Sequence, residues 1–324
     1  MQARRCRSRR VIGLLVCLQV LGRLGMPPYV VAEDNARRED PAKISLRYDP
    51  KLEALGFHSP ILEASVAGQD AFFLIDTGAS VHTFARWFAE AAGLDLQTTD
   101  STVSGSTNKT SQIEVARDVS LRLSGSGQSL HLYEAIVVDF PPIFRLHRIG
   151  GLLSPQLLAP EGNSTLIDMH VPQINFTRGK SVHHGRSCIN VKSQFKNRLY
   201  AIRVQVGDKK ADMLVDSGAT STLLSNKSLA GKSLLGRASG AGHMEGVGGA
   251  PSVTQKIDDV TIKIGRTSLP SSLSLAEISP ACGADGILGM DVVGKCVIEL
   301  SSEGINLSCS ERNKQGEHRE DQKD

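Results

Sequence analysis

The chain has 324 residues, with 37 Lys and Arg against 34 Asp and Glu, and a formal net charge of +3 at pH 7. This charge is too small to argue for nucleic acid or an anionic surface as a partner. The length accommodates two domains of ordinary size, and an apolar content of 40% suffices for a packed core in each. Glycine is frequent and aromatic residues are scarce, which favours a β fold with many turns and excludes a helical bundle.

The N-terminus has the pattern of a secretory signal peptide. Several arginines between Arg4 and Arg10 precede the apolar run from Val11 to Leu21. A positive segment followed by an apolar segment of this length is typical of such signals. Val30-Val31-Ala32 offers a cleavage site, so residues 1–32 are predicted to be the signal, with an uncleaved anchor as the alternative. No internal run reaches about 18 apolar residues, so we expect no membrane span in the mature chain and an exported, periplasmic or secreted protein.

The remaining chain divides by composition into two lobes and their connections. Residues 33–55 are charged and weakly patterned, and they are compatible with a leader, a linker or an N-terminal strand. Residues 56–176 are predicted to form the first lobe. A basic, polar stretch at 177–196 is predicted to be the interlobe linker, and 197–309 the second lobe. Residues 310–324 are almost wholly polar or charged, so we predict a disordered tail.

Each predicted lobe contains one copy of the same short motif. Leu74 to Ser80 reads LIDTGAS, and Leu214 to Thr220 reads LVDSGAT. A single Asp-(Ser/Thr)-Gly triplet is usually an ordinary turn, and roughly one chain in four of this composition would contain one by chance. Two copies with matching flanks indicate a duplicated unit, whose carboxylates Asp76 and Asp216 are 140 residues apart. After the first copy, Phe84 to Ala92 is the strongest helix candidate.

The duplication extends well beyond the motif. Ile61 to Ser80 aligns without a gap over Ala201 to Thr220, and each stretch is predicted to form two short strands around a polar turn. A second matched pair follows, with Gly151 to Leu153 in the first half and Gly286 to Leu288 in the second. Each of these two segments is followed by a helix-like segment and then by a hairpin-like segment that ends its half. A repeat of this length predicts two related lobes in one chain.

Together these motifs resemble those of the two-lobed aspartic peptidases of the pepsin and retropepsin group. The short lobes and the Asp-(Thr/Ser)-Gly-Ala motifs are most similar to the bacterial retropepsin-like branch, and the resemblance covers about Pro60 to Cys309. It implies a mainly β, bilobal acid-protease fold with two β-barrel-like lobes and a cleft between them. It also implies an aspartic endopeptidase that acts on a peptide or protein substrate without cofactor, metal or nucleic acid. Because one chain supplies both halves of the site, we expect a monomer.

The resemblance makes Asp76 and Asp216 the catalytic pair. Peptide hydrolysis by two carboxyls needs one ionised Asp, which takes a proton from the attacking water, and one protonated Asp, which polarises the scissile carbonyl. As is general for aspartic-protease dyads, two like charges about 3 Å apart cannot both ionise, so we expect one pKa to rise and the other to fall. The residues predicted to support the dyad are Thr77, Gly78, Ser217 and Gly218.

The neighbours of the two Asp residues have separate predicted roles. The glycines allow the two loops to approach without a clash at Cβ. By resemblance, Thr77 and Ser217 are the inward hydroxyls that cross-bond the loops. Ala79 and Ala219 stand where pepsins commonly carry Ser or Thr, which removes a hydrogen bond to the ionised dyad. We therefore predict a less acidic optimum than that of pepsin-like enzymes.

The first lobe departs from the family pattern in one place. Gly286-Ile287-Leu288-Gly289 matches the family's second element fully, whereas Gly151-Leu152-Leu153 is followed by Ser154. A side chain at that position is expected to crowd a closely packed loop. This departure keeps an alternative open, a peptidase-like protein that binds peptides without cutting them. A purely structural repeat protein is a further alternative, but it gives no reason for two Asp residues with such similar flanks.

Two stretches lie where the family places a flap over the substrate. They are Val103 to Ile113 in the first lobe, which lacks the Tyr of pepsins, and Ser239 to Gly249 in the second, which is rich in glycine. An ordinary loop is the alternative for each. The predicted flap residues are Ser104, Gly105, Gly240 and Gly242.

Four cysteines follow the predicted signal, and export would allow them to form disulfides. CVIEL-SSEG-INLSC is predicted to be a hairpin that turns at Ser301 to Gly304, and counting outward places Cys296 opposite Cys309. Pairing of Cys188 with Cys282 follows by exclusion. Four free thiols are the alternative if the chain stays in the cytosol.

Overall fold

The computed structural model describes residues 13–15, 19–21, 43–104, 110–159, 163–178, 185–189, 198–246, 252–301 and 304–310. In the first half of the chain the helices and strands are β1 Gly13–Leu15, β2 Gln19–Leu21, β3 Lys43–Ser45, α1 Pro50–Ala54, β4 Ile61–Val66, β5 Gln69–Ile75, β6 His82–Ala85, α2 Arg86–Ala91, β7 Gln97–Ser104, β8 Thr110–Leu123, β9 Ser129–Val138, α3 Pro142–Leu146, β10 Ile149–Leu153, β11 Asn163–Asp168 and β12 Gln173–Arg178.

In the second half they are β13 Gly185–Ile189, β14 Arg198–Val206, β15 Lys209–Val215, β16 Leu223–Ser225, α4 Leu229–Leu234, β17 Gly240–Gly246, β18 Ser252–Ile264, β19 Thr267–Ala276, β20 Gly286–Leu288, α5 Met290–Val293, β21 Cys296–Leu300 and β22 Gly304–Cys309. Short 3₁₀ turns occur at Pro155–Leu157, Leu235–Arg237 and Ala281–Gly283.

The aligned repeats fold into the same hairpin in each half. Strands β4 and β5 pair antiparallel around Ala67-Gly68, whose φ values of 50° and 83° fit a tight two-residue turn. Strands β14 and β15 pair in the same way around Gly207-Asp208. Along β4 the side chains alternate between buried and half-buried, as expected for a strand with one face on the core.

A second strand crosses behind each hairpin and fixes the position of the loop that follows it. In the first half, β10 runs parallel to β5 and antiparallel to β6. In the second half, β20 runs parallel to β15 and antiparallel to β16. The backbone N–H of Asp76 donates to the carbonyl of Leu153 at 2.9 Å, and that of Asp216 donates to the carbonyl of Leu288 at 3.0 Å. Each Asp therefore leaves its strand at a position set by the crossing strand.

The described strands form two sheets. The smaller sheet has eight strands, in the order β2-β7-β8-β4-β5-β10-β6-β9, and belongs to the first half. The larger has fourteen strands, in the order β1-β17-β18-β19-β16-β20-β15-β14-β13-β22-β21-β11-β12-β3. In it, β21 of the second half pairs antiparallel with β11 of the first. The predicted mainly β, bilobal fold with two barrel-like lobes is thus confirmed.

Aromatic packing closes the first lobe around the helix that follows its Asp loop. Phe73, Phe84 and Phe88 are fully buried and lie within 5.2 to 5.9 Å of one another between ring centroids. Burying a side chain of this kind stabilises a fold by about 1.5–3 kcal/mol. The predicted helix from Phe84 to Ala92 is wrong in its first two residues, because Phe84 pairs with Gly151 and Val137 as part of β6, and α2 begins only at Arg86.

Parts of the stretches on either side of the lobes also have regular structure. Within 33–55, β3 adds to the edge of β12, and Asp49 caps the N-terminus of α1, where its carboxylate accepts from the N–H groups of Lys51 and Leu52. Within 177–196, β13 pairs with β14 and β22. The cleavage site and the predicted disordered tail lie outside the described residues, apart from Ser310. Within the described part of the chain, no helix has both the length and the apolar character needed to cross a membrane.

Candidate active site

The two Asp loops meet face to face at the junction of the lobes. Asp76 and Asp216 are both 0% exposed. A Cβ added to Gly78 would lie 2.3 Å from Cγ of Asp216, and one added to Gly218 would lie 2.6 Å from Cγ of Asp76. Each carboxyl thus lies against the glycine of the opposite loop, at a distance that excludes any side chain there. The structure brings together the two predicted catalytic residues and explains both glycines.

Two buried hydroxyls bind the loops to each other across the junction. Thr77 Oγ1 accepts from the N–H of Ser217 at 3.0 Å and donates to the carbonyl of Val215 at 2.9 Å. Reciprocally, Ser217 Oγ accepts from the N–H of Thr77 at 3.0 Å and donates to the carbonyl of Ile75 at 2.7 Å. These four hydrogen bonds form the cross-bonded pair that the resemblance implied, and they fix the spacing of the two carboxyls.

Each carboxyl is held by its own loop through one oxygen. Oδ1 of Asp76 accepts from the N–H of Gly78 at 2.8 Å, and Oδ1 of Asp216 accepts from the N–H groups of Gly218 and Ala219 at 2.8 and 3.1 Å. Both Oδ2 atoms are buried and accept from no N–H or O–H of the described residues. A proton shared between the two carboxyls can satisfy these two oxygens.

The environment favours retention of a proton by this pair. Burial raises the pKa of Asp76 well above its ordinary value, and the negative charge of Asp216 raises it further. Burial also raises the pKa of Asp216, to about 7, although the neighbouring Asp76 carboxyl and the N–H groups of its own loop act in the opposite direction. The expectation that one of the two pKa values falls is therefore wrong, because burial raises both. Since the two carboxyls interact strongly, the proton belongs to the pair rather than to one residue.

Behind the loop of Asp216, three hydrogen bonds hold the residues that follow the crossing strand β20. The N–H of Gly289 donates to Thr222 Oγ1 at 3.2 Å, and Thr222 Oγ1 donates to Oδ1 of Asp291 at 2.8 Å. The N–H of Met290 donates to the carbonyl of Ala219 at 2.8 Å. A Cβ at Gly289 would lie 2.4 Å from the backbone of Ser221, so only glycine fits this path.

The loop of Asp76 is fastened by different groups at the same positions. The N–H of Ser154 donates to Nδ1 of His82 at 3.2 Å, and Nε2 of Gln156 donates to the carbonyl of Ala79 at 2.7 Å. His82 lies 140 residues before Thr222, so an imidazole replaces the hydroxyl of the other lobe. Burial lowers the pKa of His82 to about 3, which keeps Nδ1 available as an acceptor.

Ser154 enters this region along a different path from its counterpart Gly289. Its ψ is 107°, whereas that of Gly289 is −176°, and Ser154 is fully buried. The two lobes therefore differ in backbone direction at this point, and the first lobe buries a side chain where the second requires glycine.

Residues just before β4 also contact the loop of the second lobe. Ser59 is buried and its Oγ donates to the carbonyl of Ser217 at 2.6 Å. Thr220 Oγ1 donates to the carbonyl of Gly56. Sequence reasoning missed these residues, together with His82 and Gln156. No local pattern marks Ser59, but His82 and Gln156 could have been found by comparing each position with its aligned partner in the other half.

The predicted flaps form two long hairpins. Ser104 ends β7, which pairs with β8, while Gly105 lies outside the described residues. Gly240 and Gly242 lie in β17, which pairs with β18. Each hairpin accepts one further strand at its outer edge, since β2 pairs antiparallel with β7 and β1 pairs parallel with β17.

The structure joins Cys296 to Cys309 by a disulfide across β21 and β22, in the register counted from the sequence. Cys282 is also disulfide-bonded. The side chain of Cys188 lies outside the described part, so its pairing with Cys282 stays a prediction. Within the described residues, no three His, Cys, Asp or Glu side chains are grouped so that they could hold a metal ion.

Comparison with known proteins agrees with this geometry. A family model described as aspartyl protease matches residues 62–157 and 202–292, one match in each half. The two matches together cover more than half of the chain, and each includes one Asp loop with its crossing strand. A search of curated proteins finds no match. On the duplicated match and the two-lobed fold, the chain belongs to the aspartyl protease family and is a retropepsin-like member of it.

Proposed function

We propose that the protein is an aspartic endopeptidase in which Asp76 and Asp216 activate one water for attack on a peptide bond. The observation that carries this proposal is the meeting of the two Asp loops, each carboxyl packed against the glycine of the other. A family member that only bound peptides would not need both carboxyls buried, opposed and cross-bonded at this spacing.

The proposed reaction conserves the proton held by the pair. The ionised carboxyl takes a proton from the water as its oxygen bonds to the carbonyl carbon, and the protonated carboxyl gives its proton to the carbonyl oxygen. The tetrahedral intermediate then loses the amine, which takes the water-derived proton from the first carboxyl as the C–N bond breaks, while one hydroxyl of the intermediate returns its proton to the second carboxylate. The raised pKa values of both carboxyls support retention of at least one proton by the pair up to neutral pH.

The two flap hairpins support an extended peptide as substrate. The outer edges of β7 and β17 both pair with short strands from the chain's own N-terminal segment. An edge that accepts one strand can accept another through the same backbone hydrogen bonds, which is how peptides add to sheets. Backbone pairing of this kind leaves sequence preference to the side chains of the cleft.

The test is cleavage of a mixed peptide library between pH 3 and 7 by the wild type and by the Asp76→Asn and Asp216→Asn variants. Asp208→Asn, in the exposed turn between β14 and β15, is the matched control. We expect both dyad variants to lose cleavage and the control to retain it. A folded wild type that binds peptides but cuts none at any pH would replace this proposal by that of an inactive peptide-binding relative.

Export and a monomeric state are part of the same proposal. The arginine-rich start and the apolar run that follows support a secreted or periplasmic location. Mass spectrometry of the protein from its native host would distinguish a chain that begins after Ala32 from one that retains its N-terminal segment. Light scattering of the purified chain would test the monomer, since a dimer would contradict the expectation that one chain completes the site.

A further inference from the structure

We propose that Gln156 is a positioning residue for the Asp76 loop, whose side-chain amide supplies a hydrogen bond that the backbone supplies in the other lobe. Neither the family's Asp motif nor its second element, Gly286 to Gly289 and the counterpart Gly151 to Ser154, includes this residue. The inference rests on the proposed function where its test reads peptide cleavage, so the test below also has a readout independent of cleavage.

The second lobe shows which bond is needed. After β20 and Gly289, the N–H of Met290 donates to the carbonyl of Ala219 at 2.8 Å. Ala219 is fully buried and its own N–H donates to Asp216. The carbonyl that Met290 binds thus belongs to the same short loop that holds the catalytic carboxyl.

The first lobe lacks this backbone donor. The residue aligned with Met290 is Pro155, which has no N–H. Ala79, the counterpart of Ala219, is equally buried, so its carbonyl needs another partner. Nε2 of Gln156 donates to this carbonyl at 2.7 Å, and a longer contact of 3.5 Å reaches the carbonyl of Thr77.

The residue aligned with Gln156 in the second lobe makes different hydrogen bonds. Asp291 follows Met290, and its carboxylate accepts from Thr222 at 2.8 Å and from Ser271 at 3.0 Å. A carboxylate accepts hydrogen bonds and cannot replace a lost N–H. The second lobe thus has Met290 followed by Asp291, whereas the first has Pro155 followed by Gln156. In each lobe one hydrogen bond reaches the carbonyl of the alanine in the Asp loop, from the backbone in the second lobe and from the Gln156 side chain in the first.

The bond acts on catalysis through the loop backbone. The Ala79 carbonyl lies three residues after Asp76, and the N–H of Gly78 between them donates to Oδ1 of Asp76. Release of the carbonyl would let these peptide groups rotate and would weaken the support of one carboxyl. Gln156 acts on the loop through the Ala79 carbonyl, so we expect its loss to reduce kcat more than it changes KM.

The experiment compares Gln156→Met, which keeps the length and loses the donor, with Gln156→Glu, whose carboxyl donates only when protonated. We expect Gln156→Met to lower kcat about 10-fold or more at every pH, with KM within about 2-fold of the wild type. We expect the Gln156→Glu variant to match it at pH 7 and to recover toward the wild type as pH falls below about 4. A role in packing alone would give both variants the same pH profile as the wild type.

Gln205 provides matched controls. Its Nε2 donates to the carbonyl of Gly207 at 2.9 Å in an exposed turn away from the dyad. Gln205→Met and Gln205→Glu should leave kcat and the pH profile unchanged. If Gln156→Met retains full kcat, or if Gln156→Glu shows no recovery at low pH, the proposed positioning role is wrong.

Carboxyl-carbon NMR titration of the dyad separates this inference from the proposed function. We expect Gln156→Met to shift the apparent pKa values of the Asp76–Asp216 pair, and Gln205→Met to leave them in place. This readout needs no cleavage, so an inactive wild type would refute the peptidase proposal and still leave the positioning role open to measurement. Unchanged dyad pKa values in Gln156→Met would overturn the positioning role even in an active enzyme.

Discussion

The buried imidazole of His82 should destabilise the protein in acid, and Asn at this position should remove that effect. In His82→Asn, Oδ1 stands at about the place of Nδ1 and can still accept from the N–H of Ser154. The variant loses the ring, which costs a pH-independent amount for the lost packing. It also loses the titrating group, which is the change that the prediction concerns.

The sign and size follow from the lowered pKa. The folded state has a pKa of about 3 for His82 against an ordinary value of 6.5, so the unfolded chain takes up the proton first as the pH falls. Stability is therefore present above pH 6.5 and is lost toward pH 3. Between pH 7 and pH 4 this linkage amounts to about 3 kcal/mol. The Asp pair, with raised pKa values, acts in the opposite direction but equally in both proteins.

Urea unfolding at pH 4, 5, 6 and 7, followed by the fluorescence of Trp87 in α2, the single tryptophan of the chain, measures this difference. We expect the free energy of unfolding of His82→Asn to gain about 3 kcal/mol relative to the wild type between pH 7 and pH 4. The difference should grow steadily below pH 6.5. Parallel pH profiles for the two proteins would refute the reasoning, because they would show that His82 is protonated equally in the folded and unfolded states.

Other substitutions test the dyad and its supports. Asp216→Asn removes a carboxyl whose raised pKa penalises the folded state at high pH. Relative to the wild type, its free energy of unfolding should therefore rise by up to about 4 kcal/mol between pH 4 and pH 8, as measured by thermal unfolding at both pH values. Thr77→Val should lower stability by about 3 kcal/mol in urea unfolding and reduce kcat, because it leaves buried N–H and C=O groups unsatisfied. Replacement of Cys296 and Cys309 by Ser should cost about 3 kcal/mol, read from the unfolding midpoint without reductant. The pH optimum of the wild type should lie above about 3, and Ala219→Thr should move it to lower pH by adding a donor near the ionised carboxyl; an unchanged pH–rate profile would count against this role of the missing hydroxyl.

The sequence was sufficient to predict the parts of the site that occur in both halves of the chain. The repeated motif predicted the bilobal fold, the meeting of the two Asp loops and the hydroxyl cross-bonds, because each follows from superposing one half on the other. The pairing of Cys296 with Cys309 needed only the count of residues around one tight turn. These features depend on local pattern and on symmetry, both of which are readable along the chain.

The residues that were missed are those at which the halves differ. His82 and Thr222 share no chemistry by inspection, yet both accept a hydrogen bond from the crossing strand. Gln156 has its role because Pro155 has no N–H to donate to the carbonyl of Ala79. That relation joins two neighbouring residues to a third that is distant in sequence, so no local pattern shows it. The start of α2 was misplaced because pairing with β10 and β9 holds Phe84 in a strand, and helix propensity contains no information on such pairing.

The pairing of β11 with β21 has a consequence for how the two halves could exist apart. This pairing and the Thr77–Ser217 hydrogen bonds are contacts of the kind that join subunits, so the chain is equivalent to a dimer whose partners share one backbone. A covalent connection makes the encounter of the two halves intramolecular and so independent of the protein concentration. If the chain were cut between Arg178 and Gly185, each fragment would carry one Asp, and assembly of the pair would depend on dilution.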